Sequence, residues 1–386
     1  MNIAIFTDTF YPEINGVVTA TINLSKGLAK KGHKIYIITC SRPQKYEEFQ
    51  YNNIIVKRLP SISAFFYPGC RLNFPFSMKL FKYLITEKIN LIHFQTPFVV
   101  GVNAIISAKL LKIPLIGTFH TFIAHKDYRR YVLRHFRIKE NLLEQFAWKY
   151  LRAYYNRCDL ITTPTESAKN ELLRNNFKKP IIVISNGIEI PDNIKENEDN
   201  QSLLFVGRIS YEKNIFYLLD CFKIIARSIP EVKLIVVGDG PQMSDFQKKI
   251  KDEGLVNNIV LKGRIEYGEL MKSSIFQNSK IFITSSLTET QGITMLEAQA
   301  RGLVSVGVDA NGTKDLITNG YNGFLVKEGD KEEFARNVVN LLSNKNLYKK
   351  MRDNTLKSVE KHRMDNIIFL WENTYLKLIQ ELKSEN

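Results

Sequence analysis

Short apolar runs alternate with amphipathic stretches along almost the whole chain. In the first half these runs predict strands at 3–7, 34–40, 54–59, 91–94, 115–119, 160–163 and 181–184. Between several of them the apolar positions recur at the helical period, for example over 17–31 and 99–111. Near-continuous apolar strands separated by helices are typical of a parallel sheet that is covered on both faces. The first half is therefore predicted to be a doubly wound α/β domain.

A polar passage at 191–201 interrupts the alternation, which then restarts with strands predicted at 203–206, 234–237, 259–261, 281–284 and 304–307. We predict two doubly wound parallel-sheet domains, 1–190 and 191–362, and a terminal segment, 363–386, with a helix over 366–382. Because ligands of such folds bind outside the carboxyl ends of the strands, the two sheets are expected to face across a ligand-binding crevice.

The positive charge of the protein is confined to the first half of the chain. Residues 1–190 hold 27 Lys and Arg against 12 Asp and Glu, which accounts for the whole net charge of +15, and residues 191–386 hold 27 of each. A one-sided basic surface indicates an anionic partner, either an acidic lipid or a nucleic acid.

The cysteines and the apolar runs indicate the compartment. The four cysteines, Cys40, Cys70, Cys158 and Cys221, have no paired spacing for metal or redox work and are interpreted as buried thiols in a reducing environment. The start of the chain reads as a buried strand, not as a signal peptide, and no uncharged run reaches the roughly 18 residues that a membrane span needs. We expect a cytoplasmic protein.

The stretch 288–298, TETQGITMLEA, places two carboxylates around the start of a helix. If that helix begins near Gly292, Glu289 lies in the preceding loop and Glu297 lies about one turn inside. The first N–H groups of the helix would then point at an anion. Hydroxyl-binding carboxylates on either side of a phosphate-binding terminus suit a nucleotide-sugar. The alternative is an ordinary strand–loop–helix in which Glu297 is merely solvated.

Two cations are the candidates for binding the phosphates. Arg208 and Lys213 follow the strand at 203–206, and a guanidinium and an ammonium both suit phosphate oxygens. The chain has no D-x-D pair to hold a divalent ion against a diphosphate, and no G-x-G-x-x-G follows the first strand, which makes a nicotinamide enzyme improbable. As isolated residues, two such cations near a strand end are more often solvated than ligand-binding.

The spacing of Glu289 and Glu297, with Gly292 and the LEA of the helix beside them, resembles the signature of glycosyltransferase family 4. These are retaining enzymes with the GT-B fold, in which two Rossmann-like domains are joined by a terminal helix that crosses back to the first domain. The TQG at 290–292 is closest to members that glycosylate diacylglycerol. The resemblance spans nearly the whole chain and implies the same architecture here.

The resemblance also implies roles for individual residues. Arg208 and Lys213 would clamp the diphosphate, His120 would lie beside the donor sugar, Glu289 would bind the sugar hydroxyls and Glu297 the ribose hydroxyls. The implied donor site is completed by Gly16, Gly238, Ile265, Thr290, Gln291, Gly292, Ile293 and Thr294. His93, at a similar strand end, is expected to help receive the acceptor.

The implied reaction is a front-face substitution through an oxocarbenium-like state. The leaving phosphate takes the proton of the acceptor, and Arg208 and Lys213 stabilise the developing charge. Neither a cofactor nor a metal is expected.

A basic and aromatic segment at 126–157 bears on the acceptor. It carries nine Lys and Arg against three Asp and Glu, with aromatic residues interleaved. Such a helix binds anionic membrane surfaces, and the candidate membrane residues are Arg129, Arg130, Arg134 and Arg137. The alternative is a surface helix whose aromatic residues pack into its own core. No nucleic-acid-binding module is recognised, so no nucleic-acid partner is expected.

The resulting hypothesis is a peripheral enzyme on the inner face of the cell membrane. It would move glucose or galactose from a UDP-sugar to 1,2-diacylglycerol and yield an alpha-glycolipid. Other acceptors, namely phosphatidylinositol, a sterol or a glycan, stay open. So do a sugar-nucleotide epimerase on the same fold and a non-catalytic basic binding protein.

Overall fold

The computed structural model describes residues 1–13, 15–42, 48–63, 71–122, 140–194 and 201–384. The chain forms two compact units. Unit 1 comprises Met1–Gly187 and Met364–Asn386, and unit 2 comprises Ile188–Arg363. The chain therefore leaves unit 1 after residue 187 and returns to it at residue 364, a few residues from the boundaries that the sequence predicts.

Unit 1 is built on a seven-stranded parallel sheet with the order β3-β2-β1-β6-β7-β8-β9, and β4 and β5 form a separate antiparallel pair. The strands are β1 (Asn2–Phe6), β2 (Lys34–Cys40), β3 (Ile54–Leu59), β4 (Ser61–Ser63), β5 (Arg71–Asn73), β6 (Leu91–Phe94), β7 (Leu115–Thr118), β8 (Leu160–Thr163) and β9 (Ile181–Val183).

Unit 2 is built on a six-stranded parallel sheet with the order β12-β11-β10-β13-β14-β15. The strands are β10 (Ser202–Val206), β11 (Lys233–Val237), β12 (Ile259–Gly263), β13 (Ile281–Thr284), β14 (Val304–Val308) and β15 (Gly323–Val326). Short 3₁₀ turns lie at Tyr211–Lys213 and Glu360–His362.

Helices cover the faces of both sheets. Those of unit 1 are α1 (Gly16–Lys30), α2 (Met78–Thr86), α3 (Val99–Leu111), α4 (Glu140–Tyr155), α5 (Glu166–Arg174) and the terminal α13 (Met364–Ser384). Those of unit 2 are α6 (Ile215–Ser228), α7 (Met243–Asp252), α8 (Tyr267–Lys272), α9 (Ile293–Gln299), α10 (Thr313–Leu316), α11 (Lys331–Ser343) and α12 (Lys345–Val359).

The alternation of side chains along β1 explains why both faces of the first sheet are apolar. Ala4 and Phe6 join a core that contains residues of α2 to α5, whereas Ile3 and Ile5 join a core that contains residues of α1 and α13. Successive side chains of a strand point to opposite faces, so a strand buried on both faces must be apolar throughout. The predicted doubly wound α/β architecture is confirmed.

Three strands were not predicted. Within unit 1, β4 and β5 are short and carry polar residues, and β15 of unit 2 begins with Gly323 at the edge of its sheet. A Cβ at Gly323 would lie 2.2 Å from the carbonyl oxygen of Ser305, so only glycine lets β15 approach β14 this closely.

The first and last helices of unit 1 pack closely at one glycine. A Cβ at Gly27 of α1 would lie 2.3 Å from both Cγ1 and Cδ1 of Ile368 on α13. Ile368 is buried together with Trp371 and Tyr375 against the same face of the sheet. The missing side chain at Gly27 thus lets the terminal helix lie against α1.

Gly27→Ala should therefore lower the free energy of unfolding of unit 1 by about 1–3 kcal/mol, because the added methyl group overpacks the interface. In a helix without this contact the same change would stabilise by about 1 kcal/mol. Urea unfolding monitored by tryptophan fluorescence measures this change in the free energy of unfolding. The signal reports on unit 1, because both tryptophans of the chain, Trp148 and Trp371, lie there. The loss should shrink in an Ile368→Ala background, and an equal loss in both backgrounds would contradict this packing.

Candidate active site

The turn that follows β10 holds the two candidate phosphate-binding cations. The side-chain hydroxyl of Ser285 donates to the carbonyls of Lys213, at 2.9 Å, and Asn214, at 3.0 Å. The hydroxyl of Ser286 donates to the carbonyl of Glu212 at 3.2 Å. Because both serines directly follow β13, the neighbouring strand in the sheet, these hydroxyls fix the backbone that carries Lys213.

The turn after β11 packs against the turn after β10, and two glycines allow this close contact. Gly238 has φ +140°, and a Cβ there would lie 1.9 Å from the carbonyl oxygen of Gly207. A Cβ at Gly240 would lie 2.4 Å from the carbonyl oxygen of Ile209. No side chain fits these approaches, so the glycine turn predicted around Gly238 is needed to close the loops at this edge of the sheet.

Lys213 and Glu289 form an ion pair with each other. Both side chains are partly buried, with 23% and 19% of their surface exposed. The two residues lie 76 positions apart and come together because the turn after β10 and the loop after β13 leave the sheet side by side. The structure therefore joins two residues that the sequence proposes for one site.

The backbone of the Glu289 loop is fixed as firmly as that of the Lys213 turn. The Gly312 N–H donates to the Glu289 carbonyl at 2.8 Å, and the Asn311 side-chain amide donates to the Leu287 carbonyl at 2.6 Å. A Cβ at Gly312 would lie 2.4 Å from the carbonyl oxygen of Thr290. The loop after β14 is thus packed directly onto the motif.

Glu297 lies inside α9 and is 3% exposed. Within the described part of the chain its Oε1 atom has no hydrogen-bond partner. Burial raises the pKa of the Glu297 carboxyl to about 7, although a hydrogen bond to Tyr267 and the charge of Arg301 act in the opposite direction. An acceptor atom buried without a partner is costly, so this oxygen is suited to a ligand hydroxyl.

The remaining predicted donor-site residues of unit 2 lie after β10, β12 and β13. Gly292 has φ +78° and directly precedes the seven-residue helix α9, so the helix begins where the sequence predicts. Thr290 and Gln291 are buried, whereas Ile293 and Thr294 in the first turn are partly exposed. Arg208 is exposed on the turn after β10. Ile265 follows β12 and packs in part against the core beside α9.

In unit 1, His120 lies just beyond the carboxyl end of β7 and is partly buried. Its Nε2 atom lies 2.6 Å from Oε1 of Gln95, and the Gln95 amide nitrogen lies 3.0 Å from Nε2 of His93. Burial lowers the pKa of His120 to about 4, so this imidazole is neutral at physiological pH. A cavity of about 20 Å³, room for a water molecule, is lined in part by Gln95, Thr118 and His120.

The position of His93 contradicts its expected role in receiving the acceptor. The side chain is completely buried, with Nδ1 2.7 Å from the hydroxyl of Tyr375 and Nε2 2.6 Å from the hydroxyl of Thr118. Trp371 covers the ring with its centroid 4.9 Å away. Because α13 supplies Trp371 and Tyr375, His93 is a core histidine.

Gly16 begins α1, as predicted, and the loop before it is held from several sides. Asn15 caps the helix by accepting from the Val18 N–H at 3.0 Å. Arg58 donates to the Tyr11 carbonyl at 2.6 Å. The start of α1 at Gly16 is therefore fixed by the Asn15 cap, and a ligand contact there stays a prediction.

The aromatic residues of the basic segment divide between two faces of α4. Trp148, Tyr154 and Tyr155 pack into the core, whereas Leu142 and Phe146 are exposed. The four predicted membrane arginines, Arg129, Arg130, Arg134 and Arg137, lie outside the described residues. The packing alternative thus holds for the inner face of α4, and membrane binding by the segment stays a prediction.

Sequence reasoning missed three contributors to the sites. Ser285 and Ser286 fix the Lys213 turn, and Gln95 contacts His120. The available signal was their position, since each follows a predicted strand directly at its carboxyl end. In the part of the chain that the structure describes, no group of His, Cys, Asp or Glu could hold a metal, and no helix is long and apolar enough to cross a membrane.

The two doubly wound parallel-sheet units have the GT-B fold. The Anabaena protein HepE, solved in complex with UDP and glucose, superposes with a TM-score of 0.74 at 17% identity, covering 98% of this chain and 100% of HepE. This likeness concerns the fold alone.

The sequence comparisons identify the family. Residues 14–190 match the family model described as Glycosyltransferase Family 4, and residues 187–358 match the family model described as Glycosyl transferases group 1. The alpha-monoglucosyldiacylglycerol synthase of Streptococcus pneumoniae is 31% identical over 344 residues, 84% of this chain and 75% of the relative. The enzyme of the same name from Acholeplasma laidlawii is 27% identical over 99% of this chain and 98% of its own. The chain belongs to glycosyltransferase family 4.

The raised pKa of Glu297 predicts a pH dependence of donor binding. Ribose hydroxyls donate to a carboxylate, so binding favours the ionised form, and affinity for UDP-glucose should rise about tenfold between pH 6 and pH 8 as a group with a pKa of about 7 loses its proton. Isothermal titration calorimetry measures this affinity, and UDP-glucose is chosen because its diphosphate does not titrate in this range.

Glu297→Gln is the matched control, because the amide has the same shape and no proton to lose. Its affinity should be lower at pH 8 and nearly independent of pH. An affinity of the unchanged protein that stays constant, or that increases on acidification, would contradict the placement of Glu297 at the ribose.

Proposed function

We propose that this protein transfers a hexose from a UDP-sugar to 1,2-diacylglycerol with retention of configuration. Two observations carry the donor half: the ion pair of Lys213 with Glu289 at one edge of the unit 2 sheet, and the unpartnered Oε1 of Glu297 in the helix that follows the Glu289 loop. The names of two relatives, both alpha-monoglucosyldiacylglycerol synthases, support the acceptor half.

Each group in unit 2 matches one part of the donor. Lys213 and Arg208 neutralise the diphosphate, Glu289 accepts hydrogen bonds from sugar hydroxyls, and Glu297 accepts them from the ribose diol. His120 in unit 1 is assigned to the donor sugar by the family resemblance, and its low pKa supports a neutral, hydrogen-bonding role.

The proposed reaction proceeds on one face of the sugar. The acceptor hydroxyl oxygen forms a bond to the anomeric carbon while the bond from that carbon to the β-phosphate oxygen breaks. The departing phosphate accepts the hydroxyl proton, which gives UDP and an alpha-glycoside. Lys213 and Arg208 stabilise the charge that develops on the diphosphate, and the fixed turn keeps Lys213 in place as it does so.

The test is a transfer assay with purified protein, radiolabelled UDP-glucose or UDP-galactose, and diacylglycerol in anionic vesicles. We expect an alpha-glycosyl diacylglycerol and free UDP, with activity retained in EDTA. Lys213→Ala should reduce turnover at least tenfold, about 1.4 kcal/mol of transition-state stabilisation. Conversion of the nucleotide-sugar without an acceptor would indicate an epimerase instead, and the absence of any donor consumption would contradict enzymatic function.

A diacylglycerol acceptor requires that the protein bind a membrane surface. The exposed face of α4 has features that support such binding. Leu142, Phe146 and Tyr150 are exposed at intervals of four residues, which places them on one side of the helix. The exposed Lys149 is on the same helix, in the half of the chain that holds the whole positive charge. An apolar stripe beside basic residues is typical of a helix that lies on an anionic bilayer.

Phe146→Glu should weaken binding to phosphatidylglycerol vesicles about tenfold, because it removes buried apolar area and adds repulsion. Phe369→Glu is the matched control: Phe369 lies on α13 and is 56% exposed, against 57% for Phe146, and binding should not change. Vesicle co-sedimentation measures both, and wild-type binding should weaken as salt is raised.

Replacing Arg129, Arg130, Arg134 and Arg137 together with glutamate should abolish vesicle binding and leave UDP-glucose affinity unchanged. A wild-type protein that ignores anionic vesicles at low salt would contradict the membrane proposal and favour a soluble acceptor.

A further inference from the structure

The ion pair between Lys213 and Glu289 joins two groups that the proposed function assigns to different parts of the donor. Lys213 is assigned to the diphosphate and Glu289 to the sugar. In the structure each side chain instead pairs with the other, and about four-fifths of both side chains are buried. A ligand that takes one partner therefore leaves the other without its counter-charge.

Only the side chains are free to change partners. The carbonyls of Glu212, Lys213 and Asn214 are held by the hydroxyls of Ser285 and Ser286. On the other side, the Glu289 carbonyl is held by the Gly312 N–H. A bound ligand thus meets two charges whose backbones keep their positions.

The two possible nucleotide ligands differ in the interaction partners that they offer to Lys213 and Glu289. A nucleoside diphosphate attracts Lys213 and offers nothing to Glu289, whose carboxylate would stay partly buried and unpaired, beside a second anion. A nucleotide-sugar attracts Lys213 in the same way and also presents sugar hydroxyls, which donate to Glu289. Leaving a buried charge without a partner is costly, so the sugar offsets a cost that the bare diphosphate does not.

We propose that the Lys213–Glu289 ion pair is a selectivity element that disfavours the bare nucleoside diphosphate relative to the sugar-bearing donor. This inference rests on the proposed function. Its consequence is that transfer itself weakens product binding: once the sugar has left, Glu289 has lost its hydroxyl partners and competes with the diphosphate for Lys213. Glu289 thereby promotes exchange of UDP for a new donor.

The test compares the affinities of UDP and UDP-glucose by isothermal titration calorimetry at pH 7.5. In Glu289→Gln, UDP should bind about threefold to tenfold more tightly, the range expected from releasing a partly buried ion pair. UDP-glucose should bind less tightly, because the sugar loses its carboxylate. Glu289→Ala provides a second variant in which UDP should again bind more tightly.

Two controls separate release of Lys213 from a general change in charge. Glu212→Gln removes a negative charge from the turn that carries Lys213 and leaves the pair intact, so UDP affinity should change less than in Glu289→Gln. In a Lys213→Gln background, Glu289→Gln should no longer tighten UDP binding, because the cation that it would release is absent.

The outcomes distinguish this inference from the proposed function. If UDP binds, and Lys213→Gln weakens it, but Glu289→Gln leaves UDP affinity unchanged or lower, the selectivity role is wrong and the donor site stands. A gain in UDP affinity that persists without Lys213 likewise overturns the role of the pair. If neither UDP nor UDP-glucose binds the unchanged protein, the donor site itself is wrong.

Discussion

Two serine hydroxyls hold the candidate active site together. Ser285 and Ser286 follow β13 directly, and they donate to three successive carbonyls in the turn after β10. Because β10 and β13 are neighbours in a parallel sheet, both turns leave the same edge, and the hydroxyls fix one against the other. The ion pair, the glycine contacts and the proposed handling of the donor all depend on this fixed turn.

A second constraint is the burial of Glu297. Its carboxyl lies inside α9 with one oxygen unpartnered in the described part of the chain, and burial raises its pKa to about 7. Between pH 4.5 and 7 the native state therefore holds a proton that the unfolded chain has lost, so this group contributes less stability as pH rises through that window. Because the buried Glu297 carboxyl lowers the stability of the fold, its presence is better explained by ligand binding than by a structural role.

The sequence predicts the sheets well because their strands are buried on both faces. Runs such as 35–38 and 281–283 are apolar throughout, and short apolar runs between helices leave few alternatives. Neither β4 nor β5 shows this signal, since both are short and polar. The grouping of Lys213 with Glu289 could be expected from their positions after two strands, but their pairing with each other depends on loop conformations that no local pattern encodes.

His93 illustrates why position at a strand end is insufficient to identify a functional residue. It lies in β6, one of the strands that end at the same edge as β7, yet Trp371 and Tyr375 of the terminal helix bury it. That helix is separated from β6 by all of unit 2 in the sequence, so the contact is invisible to reasoning about nearby residues. His120, only partly buried, keeps the kind of environment that a ligand-binding histidine needs.

We propose that the turns after β10 and β11 and the motif after β13 together bind the nucleotide-sugar. Hydrogen–deuterium exchange with and without UDP-glucose tests it most directly, because it reports on every backbone segment and needs no acceptor. We expect slower exchange over 207–214, 238–242 and 285–297, the segments that follow β10, β11 and β13 of the unit 2 sheet. Protection confined to other parts of the chain, with these three segments unchanged, would contradict it.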